Sequence, residues 1–312
     1  MRAVLGWIGR VLLTSGILLL LFVAYQLWGT GIYQSRQQDD LSSQFRQTLR
    51  AQGHTPATTT TTTPTPTGNT TPVPTTTLAP PEIPPNGDPV ATIEIKKLGV
   101  SQTVVQGVDV PDLRKGPGHY PVTPLPGEEG NAAIAGHRTT YGAPFGDLDQ
   151  LAPGDEIIVT TVEGTFRFKV SSQGPFVVKP TEGDVLLAVP DPSRPGHSLA
   201  TLTLTTCNPK YSAAERLIVQ AILVLPPGQV PLPAIATKPG EAKATISGLE
   251  GDTGSRFPAV LWGLIAALVG GLWWFLFHRY KKWYVWIAGA IPFLVVLFVF
   301  YTYLERLLPS NY

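Results

Sequence analysis

Cysteine is nearly absent: across 312 residues the only thiol belongs to Cys207. A single cysteine excludes an intramolecular disulfide, so no covalent staple stabilises the chain even outside the cytosol. No Cys-x-x-Cys and no paired-histidine motif occurs, which leaves no framework for a structural zinc ion. No metal and no cofactor are expected. An excess of either charge is missing too, because 23 Lys and Arg face 22 Asp and Glu for a net +1. That balance supplies no electrostatic reason for a nucleic-acid partner.

What the chain does have is apolar runs at its two ends. Val11 to Trp28 holds eighteen residues without a charge, long enough to span a bilayer. Arg2 and Arg10 precede it and no small-residue cleavage site follows, so an uncleaved signal-anchor is expected. Two further runs, Pro258 to Phe277 and Val285 to Leu304, flank the basic loop His278-Arg-Tyr-Lys-Lys282. Positive charge stays on the cytoplasmic side. The expected topology is therefore multi-pass in the cell membrane, with the N-terminus cytoplasmic and residues 29–257 extracellular. Trp28, Trp273, Trp274, Trp283 and Tyr284 fall where an interfacial aromatic belt belongs.

Composition shifts twice in the external part. Residues 55–85 are mostly threonine and proline and bury too little to fold, so they read as an extended tether. At ~3.1 Å per residue such a tether reaches on the order of 100 Å and would hold a domain away from the membrane. The expected boundaries are an anchor over 1–30, a stalk with the tether over 31–87 and a folded domain over 88–226. A linker over 227–257, a membrane hairpin over 258–304 and an external tail over 305–312 complete the chain. Within 88–226 no long helical period intervenes. Short strand-like runs recur instead at Ala91–Leu98, Thr103–Gln106, Asn131–Gly136, Glu156–Thr161, Thr165–Ser172, Val185–Val189, Ala200–Thr206 and Arg216–Leu225. Many short strands punctuated by Gly, Pro and Asp predict an all-β barrel or sandwich.

Cys207 closes the run Ala200-Thr-Leu-Thr-Leu-Thr-Thr-Cys207. The period-two alternation puts Leu202 and Leu204 on one face and Thr201, Thr203, Thr205 and Cys207 on the other. A free cysteine is usually a small buried hydrophobe; a place on the polar face of a half-buried strand weakens that reading. A thiol nucleophile needs a proton-accepting partner, because its ordinary pKa of ~8.5 leaves little thiolate at neutrality. Of five histidines, His54 lies in the tether and His278 in the basic loop. His119, His137 and His197 remain. His137 ends a short apolar strand and opens the polar loop Arg138-Thr-Thr-Tyr-Gly142, while His119 and His197 sit in turns. Position alone leaves His119 and His137 both open. Arg216 starts the strand after Cys207, and in an antiparallel hairpin it would lie beside the thiol. It reads equally as an oxyanion-binding cation and as an ordinary strand-edge arginine.

Thr203-Leu-Thr-Thr-Cys207, with Arg216 nine residues on and Gly136-His137 upstream, matches the TLxTC motif of the sortases. The chain resembles that family over most of residues 88–226. Gly118-His-Tyr-Pro121, Gly130-Asn-Ala-Ala-Ile-Ala-Gly-His-Arg138 and Gly154-Asp155 make it most similar to class E, the housekeeping type of high-GC Gram-positive bacteria. The resemblance implies a closed β-barrel of about eight strands, here with three transmembrane helices outside it. It implies a cysteine transpeptidase that cleaves an LPxTG- or LAxTG-type sorting signal between Thr and Gly. Its partners would be secreted proteins bearing that C-terminal signal and the amino group of a peptidoglycan precursor. Cys207 would be the nucleophile, His137 the acid and base, and Arg216 the group that holds substrate or oxyanion. Tyr120, Thr206 and His119 are the substrate-binding candidates, His119 as a neighbour of the pocket. The alternatives are a pilin-polymerising sortase with a lysine acceptor, or a catalytically silent anchored scaffold. Asp88-Pro89 is followed by Val90 rather than an aromatic residue, which argues against the lid of pilin polymerases.

Overall fold

The computed structural model describes residues 2–52, 83–234, 256–277 and 283–307. Alternating runs of β-branched residues become strands. β1 (Pro89–Ile95) and β2 (Val100–Gln106) pair antiparallel across a 3-10 turn at Lys96–Leu98. Gly99 closes that turn at φ 66°, a left-handed conformation that glycine adopts without a Cβ penalty. β3 (Gly118–His119) runs parallel to β2 and antiparallel to β4 (Gly130–Ala135). β5 (Glu156–Thr161), β6 (Gly164–Val170), β7 (Phe176–Val178), β8 (Ala200–Asn208) and β9 (Glu215–Leu223) follow.

The strand order is β6-β5-β1-β2-β3-β4-β8-β9, and pairing of Phe168–Val170 with Ala221–Leu223 joins the two ends into a closed barrel. β7 takes the same edge of β9 earlier along it, at Arg216–Ile218. Eight strands therefore close and a ninth extends the sheet, close to the expected count. Closure removes the exposed edges that invite aggregation. Inside, Ile93, Val104, Ile134, Phe145, Ile157, Phe168, Leu202, Leu204 and Val219 form one core. A second cluster of Leu113, Tyr120, Ala133, Ala135 and Leu186 covers the outer face of β4.

Three expectations change. β8 is not half-buried: Thr201 and Thr203 are as buried as Leu202 and Leu204. Their hydroxyls donate to Asn131 Oδ1 at 3.0 and 2.8 Å, so the polar face is satisfied rather than solvated. Val185–Val189 is not a strand. Gly183–Leu186 is a 3-10 turn whose Val185 carbonyl accepts from Asn131 Nδ2 at 2.9 Å. And the molecule is not purely all-β.

Helices pack outside the barrel. α1 (Arg2–Ala24) continues through a π-helical turn, Tyr25–Gly29, into α2 (Thr30–Ala51). The expected stalk over 31–87 is thus helical up to Ala51, and α2 docks on the barrel through buried Gln34, Leu41 and Phe45. Gln38 pairs with the backbone of Thr103 in both directions, at 2.9 and 2.7 Å. The barrel is seated against the helices rather than held away from them. Most of the expected tether, residues 53–82, and most of the second linker, residues 235–255, lie outside the described residues. α3 (Val110–Leu113) is a single turn, and α4 (Arg256–Phe277) and α5 (Trp283–Leu307) pair as the C-terminal hairpin. Among the described residues, two helical stretches are long and apolar enough to cross a membrane, Leu12–Ala51 and Arg256–Phe277. The expected third lies in α5, whose apolar stretch among the described residues is Ala290–Glu305, with Pro292 inside the helix. It packs on α1, where the Tyr301 hydroxyl donates to Leu18 O at 2.6 Å.

Candidate active site

Register brings the predicted residues together. In the β8–β9 hairpin Cys207 lies directly opposite Arg216. β4 and β8 run parallel with Ala135 opposite Thr205, so His137, two residues past Ala135, leaves the barrel level with Cys207. Two bonds hold that exit: Gly136 N–H donates to Thr205 O at 3.0 Å, and the Thr206 hydroxyl donates to Gly136 O at 2.8 Å. A Cβ on Gly136 would come within 2.6 Å of the Phe145 ring, so only glycine fits this crossing.

Arg138, absent from the sequence candidates, ties the histidine loop to β8. Its Nη1 donates to Cys207 O at 3.1 Å and to Asn208 Oδ1 at 2.8 Å, and its Nη2 to Asp149 at 3.0 Å. The signal was present in Gly136-His-Arg138, but nothing local marks an arginine whose partners lie about seventy residues away.

Burial dominates the electrostatics. It pushes the Cys207 thiol up, an effect that the neighbouring Arg216 and Arg138 partly offset. It pushes His137 down to about 4, helped by the positive charge of Arg114. Both groups are therefore neutral at rest. Arg216 is 3% exposed, its Nη1 spent on the Ala213 and Glu215 carbonyls at 3.1 and 2.8 Å. Its Nη2 and the Nε2 of His137 are buried without a protein partner. A buried polar atom without a protein partner is free to bond a group from outside the protein.

Residues 93–224, which hold all of these groups, match the sortase domain. The chain belongs to the sortase family. Among its relatives, sortase SrtE1 of Streptomyces coelicolor is 31% identical over 224 residues, 70% of this chain and 56% of that protein. SrtE2 of the same organism is 26% identical over 224 residues, covering 70% of this chain and 81% of that protein. A solved structure of sortase E from Streptomyces avermitilis is 39% identical and superposes with a TM-score of 0.39, covering 45% of this chain and 91% of that one. This chain spans little more than half the length of SrtE1.

The three further candidates of this sortase differ in what they have free. The Tyr120 hydroxyl shares a 3.1 Å hydrogen bond with Thr205 Oγ1. Burial pushes that phenol up, and the charges of Arg216 and Cys207 both act on it. Thr206 points away from Cys207 and its hydroxyl is committed to Gly136. In His119 the ring Nδ1 faces Gln106 Oε1 and Nε2 faces Pro124 O, each at 2.9 Å, and the neutral ring donates to one of the two. It is 1% exposed and pushed down to about 4 by burial, a neutral structural histidine with no nitrogen left for a substrate. Chemically the cluster offers a thiol, a neutral imidazole and a fixed guanidinium at one end of β8. That set suits acyl transfer.

Proposed function

We propose that this sortase is a membrane-anchored cysteine transpeptidase. It cleaves an LPxTG- or LAxTG-type sorting signal between Thr and Gly and transfers the protein to an amino group of a cell-wall precursor. The observation that carries the reading is the shared register of Cys207, Arg216 and His137 at one end of β8. As Cys207 Sγ attacks the Thr carbonyl carbon, its proton passes to His137, and the oxyanion takes a hydrogen bond from Arg216 Nη2. The C–N bond then breaks, and the leaving glycine nitrogen takes the proton from His137. A thioester remains. The incoming amine attacks it and gives a proton to His137; the C–S bond breaks, and the sulfur recovers that proton.

Because the thiol is raised and the imidazole lowered, transfer between them is uphill in the free enzyme and accompanies attack rather than preceding it. The catalytic barrel is extracellular in this reading and the basic loop cytoplasmic. Asp88–Val90 is built into the start of β1, with Pro89 opposite Val105 and Val90 buried, which favours wall anchoring over lidded pilin polymerisation. Incubating the full chain in detergent with an LAxTG peptide and a small amine tests the proposal. A peptide–amine product is expected. Intact peptide after prolonged incubation would overturn the enzymatic reading in favour of a scaffold.

A further inference from the structure

The chemistry above leaves unused a buried cluster between His137 and the terminal helices. Tyr141 stands at its centre. It is 5% exposed, with φ 50°, a left-handed conformation that a non-glycine residue rarely adopts. Such a conformation persists only where its surroundings over-determine it. Four contacts do so. Its N–H donates to Thr30 Oγ1 at 3.2 Å, and its ring meets Tyr33 edge-on at 6.2 Å. The Arg114 guanidinium stands 5.9 Å over the ring, and the Glu305 carboxylate lies within reach of the hydroxyl. The same ring lies 5.2 Å from the His137 imidazole, tilted by 34°.

The contacts come from separate parts of the chain. Thr30 and Tyr33 belong to α2, Glu305 to α5, and Arg114 follows α3. Arg114 Nη2 lies 3.7 Å from Glu305 Oε2, with both side chains 9% exposed. A pair so buried leaves an uncompensated charge if one partner is removed. A cavity of about 340 Å³ opens between these elements, lined by Tyr33, Arg36, Arg114, Tyr141, Thr302 and Glu305.

We propose that Tyr141 is a positioning residue for His137, and that α2 and α5 complete the active site by holding Tyr141 in place. The C-terminal hairpin then has a part in the reaction although its residues touch no reacting atom. The proposal rests on the reading of His137 as the acid and base. Ring contact on one side fixes the tilt of an imidazole that must serve two proton transfers, and small losses of orientation cost large factors in rate.

The test is a double-mutant cycle in the full chain, Tyr141→Phe against Glu305→Ala, with kcat and KM measured on the sorting peptide. Each single change is expected to lower kcat about tenfold, with KM unchanged within about twofold. The double variant should be no slower than Glu305→Ala alone, because that change already removes the contact that Tyr141→Phe removes. Glu305→Gln still accepts from the phenol and should recover most of the rate, a rescue that a packing role would not produce. Unaltered kcat in both single variants, or losses that multiply, would overturn the proposal. If the unmodified chain does not cleave at all, the functional reading fails instead. The His137 titration by NMR in Cys207→Ala then decides the positioning role: Tyr141→Leu, which lets water reach the ring, should raise the midpoint by about 1. An unmoved midpoint refutes it. The charge acting on His137 in that titration is that of Arg114, and the ring against it is that of Tyr141.

Discussion

Alkylation of Cys207 should be slow at neutral pH and should climb well into the alkaline range. The thiol stands above its ordinary ~8.5, so at pH 7 no more than about 3% is thiolate. With the imidazole at about 4, the Cys207 thiolate and His137 imidazolium coexist in roughly one molecule in 10⁴ or fewer. The assay is pseudo-first-order labelling of the full chain with iodoacetamide from pH 5 to 10, followed by intact mass. The rate should track a single ionisation above pH 8.5. His137→Gln should leave the profile in place, because the imidazole is already neutral across that range. Arg216→Gln removes the largest positive charge acting on the thiol and should displace the profile further upward. A plateau of fast labelling below pH 7 that disappears in His137→Gln would mean a standing ion pair and would refute the reasoning.

Three other outcomes follow from the geometry. Arg138→Met removes the hydrogen bonds to Cys207 O and Asn208 Oδ1 and should lower kcat/KM about 10²-fold, read by peptide cleavage; a change under twofold would contradict its tethering role. Gly136→Ala drives a methyl into Phe145 and should cost about 1–3 kcal/mol in chemical denaturation as well as displacing His137, whereas unchanged stability would show that the crossing has slack. His119, depressed from ~6.5 in the unfolded chain to about 4 when folded, contributes about 3 kcal/mol above pH 6.5 that is lost as pH falls toward 4. Thermal unfolding at pH 7 and pH 4.5 measures this, and His119→Gln should remove about half of the part due to the two buried histidines, His137 being lowered likewise; an identical slope in the variant would place the acid sensitivity elsewhere.

Local features of the site were legible because they are local in sequence. Cys207 and Arg216 belong to adjacent strands joined by a short turn, so alternation and hairpin logic suffice to pair them. His137 reaches them through a parallel pairing of β4 with β8, a non-local step that only the family resemblance could nominate. The burial of both faces of β8 was hidden for the same reason, since Asn131 satisfies Thr201 from seventy residues away. α2 read as stalk because its contacts with the barrel are largely polar: Gln34 bonds Gln102, and Gln38 bonds the Thr103 backbone. Leu41 and Phe45 alone make too short an apolar stripe to announce such a surface. Tyr141 was visible as part of a polar loop, but its left-handed backbone and its clamp by both terminal helices are tertiary facts. Val185 misled because a β-branched residue promises a strand, while the neighbouring Gly183-Asp184 turns the chain.

The central claim is that Cys207 is an acyl-forming nucleophile. Intact mass spectrometry of the full chain, quenched in acid during turnover of an LAxTG peptide, addresses it directly. The account predicts an adduct equal to the peptide up to and including its Thr, discharged by added amine or hydroxylamine and absent in Cys207→Ala. Peptide cleavage that persists in Cys207→Ala, or cleavage by the unmodified chain without any adduct under amine-free conditions, would contradict it.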